Sequence, residues 1–464
     1  MDSLGKNRFQ MFFYWIFRGY LRFVHDKLYY RHISIIGWEN VPEEGVPLLV
    51  ASNHQNSLND PLAIQFAFEK RIVSIFARAD VFNKPLIAKF LHSLAIVPAY
   101  RLRTDGEESL VNNIESFKIA GDRLLNGHTV AIFPEATNQD KHWLGEFSLG
   151  YLRMAFQTAE QNNFQTDIKV LPMILHYSNY FMMQNDLVVK FGTPISLKDY
   201  YELYKTKPRT AQRSVNAEVR RQIDDMMLNI NDLENYEAID YLRNTYGKRY
   251  AEYQGKNAQN LPERLMSDKE LCAALQKLSE EKPEQMREIY AETLRIEKVT
   301  KENGLRDWVL DKPNYPFAIG LKALALLLLS PLYLVALWPH WIIFQAPNLV
   351  TPKFEAMGAT FKMFIGGVRY LLSALITIPV CYVGVFLIDF PFIGWFWALM
   401  HFLILPYLMI FAWFYRKWYI KWRGQWHFIY NVKRDKNLAA LQKDRNLLFE
   451  KLNELLKVKK NNKN

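Results

Sequence analysis

Between Ile33 and Leu197, short apolar and β-branched runs alternate with segments of helical periodicity. Pro47–Ser52, Ile72–Ala77, Leu94–Ala99, Thr129–Pro134, Lys169–Leu175 and Leu187–Gly192 read as buried strands. Leu62–Lys70, Lys84–Leu91, Glu107–Asn126 and Gly150–Gln161 between them read as helices. Asn126-Gly127 closes the longest of these as a helix C-terminus should. The alternation predicts an α/β domain, a mixed sheet flanked by helices, over residues 33–205. In such folds chemistry gathers where strand ends face a common crevice.

The pattern changes on either side. Phe9–Tyr30 is aromatic but interrupted by Arg18, Arg22 and Lys27, too charged to span a bilayer. It reads either as an interfacial amphipathic helix (residues 1–32) or as a helix packed on its own domain. Residues 206–315 are charged and helical, with a hairpin broken at Pro283. Residues 316–415 hold three uncharged stretches: Ala323–Phe344 (22 residues), Tyr370–Ile388 (19) and Phe392–Phe414 (23). Roughly 20 apolar residues cross a bilayer core, so all three are candidate transmembrane helices. Trp338, Trp341, Trp395, Trp397 and Trp413 lie near their ends like an interfacial belt. A buried soluble core of this size would need more polar residues.

Composition sharpens this division. The chain has 464 residues, room for about two to three domains. It is 50% hydrophobic and 15% aromatic, and the excess sits in the three stretches. The net charge is +11, and residues 416–464 hold 14 Lys and Arg against 4 Asp and Glu, a net +10. A basic segment beside apolar spans, such as Arg416–Arg423 (RKWYIKWR), suits anionic lipid headgroups better than nucleic acid. Cys272 and Cys381 stand apart, with no disulfide framework or zinc cluster to join. The N-terminus lacks the cleavage pattern of a signal peptide.

Candidate chemistry begins at Val50–Leu62, VASNHQNSLNDPL. His54 leaves a buried strand and enters a loop, and Asp60-Pro61 has the form of a helix start with Asp60 as N-cap. A carboxylate close in sequence can fold back on one ring nitrogen and leave the other as a base. Metal binding is less attractive, because no third ligand sits at ligand spacing. A serine hydrolase is disfavoured by the missing nucleophile elbow.

Four blocks in order resemble the glycerolipid acyltransferase superfamily, which includes glycerol-3-phosphate and 1-acylglycerol-3-phosphate acyltransferases. Asn53-His54, five residues, then Asp60 resembles the first motif in its longer-spaced form. VPAYR (Val97–Arg101) resembles the second. FPEATN (Phe133–Asn138) matches the third, F-P-E-G-T-R, in part. VLPMIL (Val170–Leu175) resembles the fourth. The resemblance implies transfer of a fatty acyl group from a thioester, acyl-CoA or acyl-carrier protein, to an alcohol, with no metal and no further cofactor. It makes His54 the base and Asp60 its orienting partner. Arg101, with Arg103, would bind the acceptor phosphate, and Glu135 would hold the acceptor. Asn53, Pro134 and Pro172 would be donor-side or structural. The motif's glycine is Ala136 here and its arginine Asn138, so Lys141 and Arg153 are the nearest replacement cations. The acceptor follows as 1-acylglycerol 3-phosphate or glycerol 3-phosphate, with a non-phosphate lyso-lipid such as an N-acyl amino acid as the alternative. A catalytically weakened lipid-binding protein is a second alternative.

These expectations imply an integral membrane protein of the bacterial inner membrane or endoplasmic reticulum, its catalytic domain and basic tail cytoplasmic. An odd number of crossings would separate the two. Pro331, Pro339 and Pro347 mark the first apolar stretch as the one to break, and Asp389–Pro391 as a tight hairpin between the other two.

Overall fold

The computed structural model describes residues 8–83, 85–99, 108–135, 141–311, 315–357, 364–432 and 436–458. It divides into two compact units, Met1–Leu228 with Thr351–Leu371, and Asn229–Val350 with Leu372–Asn464.

The first unit is built on one sheet. Its strands are β1 (Tyr30–Ile36), β2 (Leu48–Ser52), β3 (Val73–Arg78), β4 (Ile96–Ala99), β5 (Thr129–Ile132), β6 (Lys169–Tyr177), β7 (Asn185–Phe191) and β8 (Ile195–Ser196). Their order is β1-β7-β6-β2-β5-β3-β4, with β8 paired to β6. β6, β2, β5, β3 and β4 are mutually parallel, and β7 runs antiparallel to β6. The six strands read from the apolar runs are all present. β2 lies between β5 and β6, and Leu48–Ala51 have no exposed surface. A central parallel strand is covered on both faces, which is why its sequence is an unbroken apolar run.

The helices follow the predicted alternation. After α1 (Arg8–Phe23) come α2 (Asn59–Ala67), α3 (Pro85–Ser93), α4 (Glu108–Leu125), α5 (Gly150–Gln161), α6 (Tyr201–Thr206) and α7 (Pro208–Met226). Two strands escaped the reading. β8 is only two residues long. β1 is an edge strand whose polar positions blur the pattern, with Arg31 paired to Asp186 at 2.9 Å.

The N-terminal segment forms a helix that packs one face on its own domain and leaves aromatic residues exposed on the other. In α1, Tyr14, Arg18 and Leu21 are buried, while Phe9, Phe12, Phe13 and Ile16 are more than half exposed. Arg18 donates to the carbonyls of Gln65 (2.6 Å), Phe68 and Glu69 (2.7 Å) at the end of α2. The last carbonyls of a helix lack internal partners, and a cation there satisfies them.

The second unit contains α8 (Tyr236–Thr245), α9 (Gly247–Tyr253) and the hairpin α10 (Leu261–Glu281) and α11 (Pro283–Glu302), which breaks at Lys282 before Pro283. α12 (Pro316–Ala356) runs through Pro331, Pro339 and Pro347 without interruption, contrary to the expectation that they break it. Each proline removes one internal bond, and the bonds on either side carry the helix through all three positions. α13 (Phe364–Leu372) belongs to the first unit up to Leu371. It continues through a π-helical turn, Ser373–Thr377, into α14 (Ile378–Val432).

α14 is two helices joined at Gly394, whose φ of 76° and ψ of 165° are open essentially to glycine alone. Tyr382 meets Met409, Phe386 meets Phe402 and Asp389 meets His401, so the arms close antiparallel around that glycine. The reversal therefore falls three residues beyond the Asp389–Pro391 expected from sequence. Pro316–Lys353 and Phe364–Val432 are long and apolar enough to cross a bilayer by length and composition. Leu328 is 72% and Phe392 84% exposed, surface that water would not favour on such helices.

Within the basic C-terminal segment, Lys436–Leu455 forms α15. Leu438, Leu441, Leu448, Phe449 and Leu452 are buried along one face, and Arg445 is 1% exposed. Its guanidinium pairs with Asp307 at 2.7 Å and Asp311 at 2.9 Å.

Replacing Arg18 by Leu should lower stability by about 2 kcal/mol or more, because three carbonyls lose a charged donor. Thermal unfolding in detergent measures this. An unchanged melting temperature would show that α2 needs no such cap.

Candidate active site

The site is assembled where three neighbouring parallel strands end. The last β2–β6 register pair is Ser52 with Met173. Asn53 then extends the ladder with its side chain. Its Nδ2 donates to the Leu175 carbonyl (3.0 Å), and its Oδ1 accepts from the Leu175 N–H (2.8 Å). The amide stands in for a peptide group, so the sheet bonds continue while the backbone turns away. The turn carries Ser57 at φ 36°, the left-handed region that is costly for a residue other than glycine.

His54 begins that turn. Its Nδ1 lies 2.8 Å from Asp60 Oδ2. A carboxylate there accepts, so Nδ1 carries the proton and Nε2 presents its lone pair. Among the described residues Nε2 has no hydrogen-bond partner, and the His54 side chain is 17% exposed. The ring stacks on Phe133 with centroids 3.9 Å apart and planes 13° from parallel. Asp60 is 1% exposed and is held by two further donors, Asn56 N–H to Oδ2 at 2.8 Å and Tyr177 O–H to Oδ1 at 2.7 Å. Burial, reinforced by the Asp60 charge, pushes the Tyr177 phenol well above its ordinary pKa, so it stays a donor.

Asp60 is not the helix cap that its sequence suggests. α2 starts at Asn59 after Leu58, and the Asp60 side chain caps no helical N–H. Its two oxygens are directed instead to His54, Asn56 and Tyr177.

Glu135 follows β5. Its Oε1 accepts from the His54 N–H (3.1 Å) and its Oε2 from the Gly145 N–H (2.9 Å). Burial raises its pKa above the usual carboxylate range, and the two N–H donors oppose that shift. The carboxylate thus ties the His54 turn to the 141–149 segment. Pro134 takes part in the same link, its carbonyl accepting from Ser148 at 3.0 Å.

A polar rim lies beside the turn. Gln55 Oε1 accepts from the Tyr180 hydroxyl (2.9 Å), and Gln55 Nε2 donates to the Lys141 carbonyl (3.4 Å). The same hydroxyl lies 3.3 Å from His142 Nδ1, and the His142 and His176 rings are 6.0 Å apart. Lys141 therefore joins the site through its backbone. Arg153 is exposed on α5, where its charge acts on the Tyr204 phenol, and among the described residues nothing joins it to His54. Pro172 is buried inside β6 opposite Ala51. Arg101 and Arg103 lie outside the described residues, as do Ala136 and Asn138.

Sequence reasoning missed Asn56, Tyr177, Gln55, Tyr180, His142 and His176. No local spacing announces them, since Tyr177 reaches Asp60 through strand register across 117 positions.

The segment that holds this site is similar to known acyltransferases. Residues 32–176 match the family model described as Acyltransferase. An uncharacterized acyltransferase of Schizosaccharomyces pombe is 28% identical over 136 residues, 28% of this chain and 20% of that protein. A chloroplastic 1-acyl-sn-glycerol-3-phosphate acyltransferase of Arabidopsis thaliana is 26% identical over 126 residues, 27% of this chain and 33% of its own. Glycerol-3-phosphate O-acyltransferase 2 of Saccharomyces cerevisiae is 22% identical over 320 residues, 47% of this chain and 43% of that one. The chain thus spans less than half the length of each of these relatives. The 1-acyl-sn-glycerophosphate acyltransferase PlsC of Thermotoga maritima superposes with a TM-score of 0.34 at 18% identity, over 48% of this chain and 84% of that one. The family match contains the His54–Asp60 pair, Glu135 and the strands that carry them, and it is through this segment, residues 32–176, that the chain is similar to the acyltransferases.

Proposed function

We propose that the protein is a membrane-bound O-acyltransferase of phospholipid synthesis. It moves a fatty acyl group from acyl-CoA or acyl-carrier protein to 1-acylglycerol 3-phosphate or glycerol 3-phosphate. The observation that carries this reading is the His54–Asp60 pair, 2.8 Å apart, at the carboxyl ends of adjoining strands. The named acceptors of the plant and yeast relatives support the substrate class.

In the proposed reaction His54 Nε2 takes the proton of the acceptor hydroxyl as its oxygen attacks the thioester carbonyl. The tetrahedral intermediate collapses, the C–S bond breaks, and the proton on His54 passes to the departing thiolate. Asp60 holds the imidazole and stabilises its charge. Glu135 keeps the His54 backbone in place. Arg101 and Arg103 supply planar, permanently charged forks for the acceptor phosphate.

His54→Ala should lower acyl transfer by about a hundredfold or more, the lower end for a lost general base. Asp60→Asn should also lose activity, because an amide accepts less well from three converging donors. Assays with labelled acyl-CoA in membranes and a panel of acceptors test both. Activity within threefold of wild type for His54→Ala would sink the base assignment.

Arg101→Lys keeps the charge and loses the fork, so it should raise the Michaelis constant for a phosphorylated acceptor more than that for the acyl donor. A rise confined to the donor would move Arg101 to the thioester side.

The proposed topology has an even number of crossings, two, supplied by the arms of α14, with catalytic domain and C-terminus cytoplasmic; it requires that α12, although unbroken at its prolines, does not cross. Arg369 in α13 donates to the Phe181 carbonyl (2.8 Å) of the sheet-containing unit, which supports a shared side for that loop and the active site. Cysteines engineered near Lys353 and Lys460 should resist an impermeant reagent added outside intact cells. Labelling at either one contradicts the arrangement.

A further inference from the structure

α13 lies far beyond the segment that matches the family, yet its backbone rests directly on the catalytic turn. A Cβ on Gly366 would overlap the Tyr180 carbonyl oxygen and come within 3.2 Å of Asn56 Oδ1. A Cβ on Gly367 would overlap the Leu58 side chain and come within 3.2 Å of its Cα. No side chain fits between the helix and residues 56–58. Those residues flank Ser57, the position with the left-handed backbone, and Asn56 donates its N–H to Asp60.

The helix is clamped where it lies. Tyr29 donates its hydroxyl to the Gly366 carbonyl (2.8 Å), and Tyr370 donates to the Leu21 carbonyl (2.7 Å). Arg369 holds the Phe181 carbonyl at 2.8 Å, next to Tyr180, whose hydroxyl binds Gln55. The contacts thus reach α1, the 178–184 loop and the catalytic turn together. Tyr29 and Tyr370 are both buried.

From this geometry we infer that α13 is a positioning element for acyl transfer: Gly366 and Gly367 hold the 54–60 turn in the shape that pairs His54 with Asp60. The inference rests on His54 as the base. The two glycines touch no reacting atom. They act by close approach: an added methyl at Gly366 displaces Tyr180, whose hydroxyl binds Gln55, and crowds Asn56, while one at Gly367 displaces Leu58, and through these residues the ring of His54 shifts. A displacement of about 1 Å in a catalytic group can cost a hundredfold in rate. The helix itself gains from alanine, because Gly→Ala in a helix interior is favourable by about 1 kcal/mol. A loss of activity therefore cannot come from a weakened helix.

The test is steady-state kinetics on full-length Gly366→Ala and Gly367→Ala in membranes, beside His54→Ala. Gly320→Ala in α12 and Gly384→Ala in α14 serve as controls, since a Cβ at either meets nothing within 4 Å. We expect kcat to fall about ten- to a hundredfold for the α13 variants. Both Michaelis constants should change far less, and the controls should match wild type. Adding Leu58→Ala to Gly367→Ala makes room for the methyl and should recover most of the lost kcat, which a global folding defect would not allow. If the α13 variants keep wild-type kcat while His54→Ala is inactive, the positioning role fails and the base assignment stands. If His54→Ala is active, both fail. A fall in kcat that the controls share, or that Leu58→Ala leaves unrecovered, also overturns the role of α13.

Discussion

The two hydrogen bonds between the Asn53 side chain and the Leu175 backbone are the constraint on which the site depends. β2 must stop pairing for His54 to leave the sheet, yet β6 has to continue to Tyr177 to reach Asp60. A side-chain amide resolves the conflict, since it offers one donor and one acceptor at peptide-like spacing without committing the backbone. The ladder then ends in a turn rather than a frayed edge. An aspartate there would accept but not donate, and the Leu175 carbonyl would be left without its partner.

Around that junction the two carboxylates are each held by more than one partner. Asp60 receives three donors, Glu135 bridges two backbone amides, and Phe133 covers one face of the imidazole. A buried carboxylate is tolerable only when it is satisfied in this way. The same saturation sets the ring's direction, because the bond at Nδ1 leaves Nε2 with its lone pair. The pair is preorganised, and the strained backbone at Ser57 is held by what surrounds it.

The six strands and four helices of the α/β domain were legible because each is a buried run or an amphipathic repeat, and burial is written in residue type. His54 and Asp60 were legible because they stand close in sequence after a strand. Tyr177 and the Tyr180–His142 rim were not, since register and loop packing bring them in from distant positions. Asp60-Pro61 misled for a local reason: the residue types of a cap are also those of an orienting carboxylate, and tertiary donors decided between them. The prolines of α12 misled in the opposite sense. Each of the three costs the helix a single internal bond, and the long apolar run on either side carries it through. Arg445 was read as part of a charged tail, but its partners Asp307 and Asp311 lie more than a hundred residues upstream.

The division of the chain into units bears on how the protein is made. Residues 351–371 belong to the unit that holds the sheet, but the ribosome reaches them only after the whole helical hairpin and most of α12. The sheet can form from residues 1–228 while the last piece of its unit is still unsynthesised. During that interval the surface later covered by Gly366, Gly367 and Tyr370 is open. Completion of the unit is thus timed by translation of an apolar helix, so the order of synthesis places nearly all of that helix ahead of the piece that closes the sheet unit.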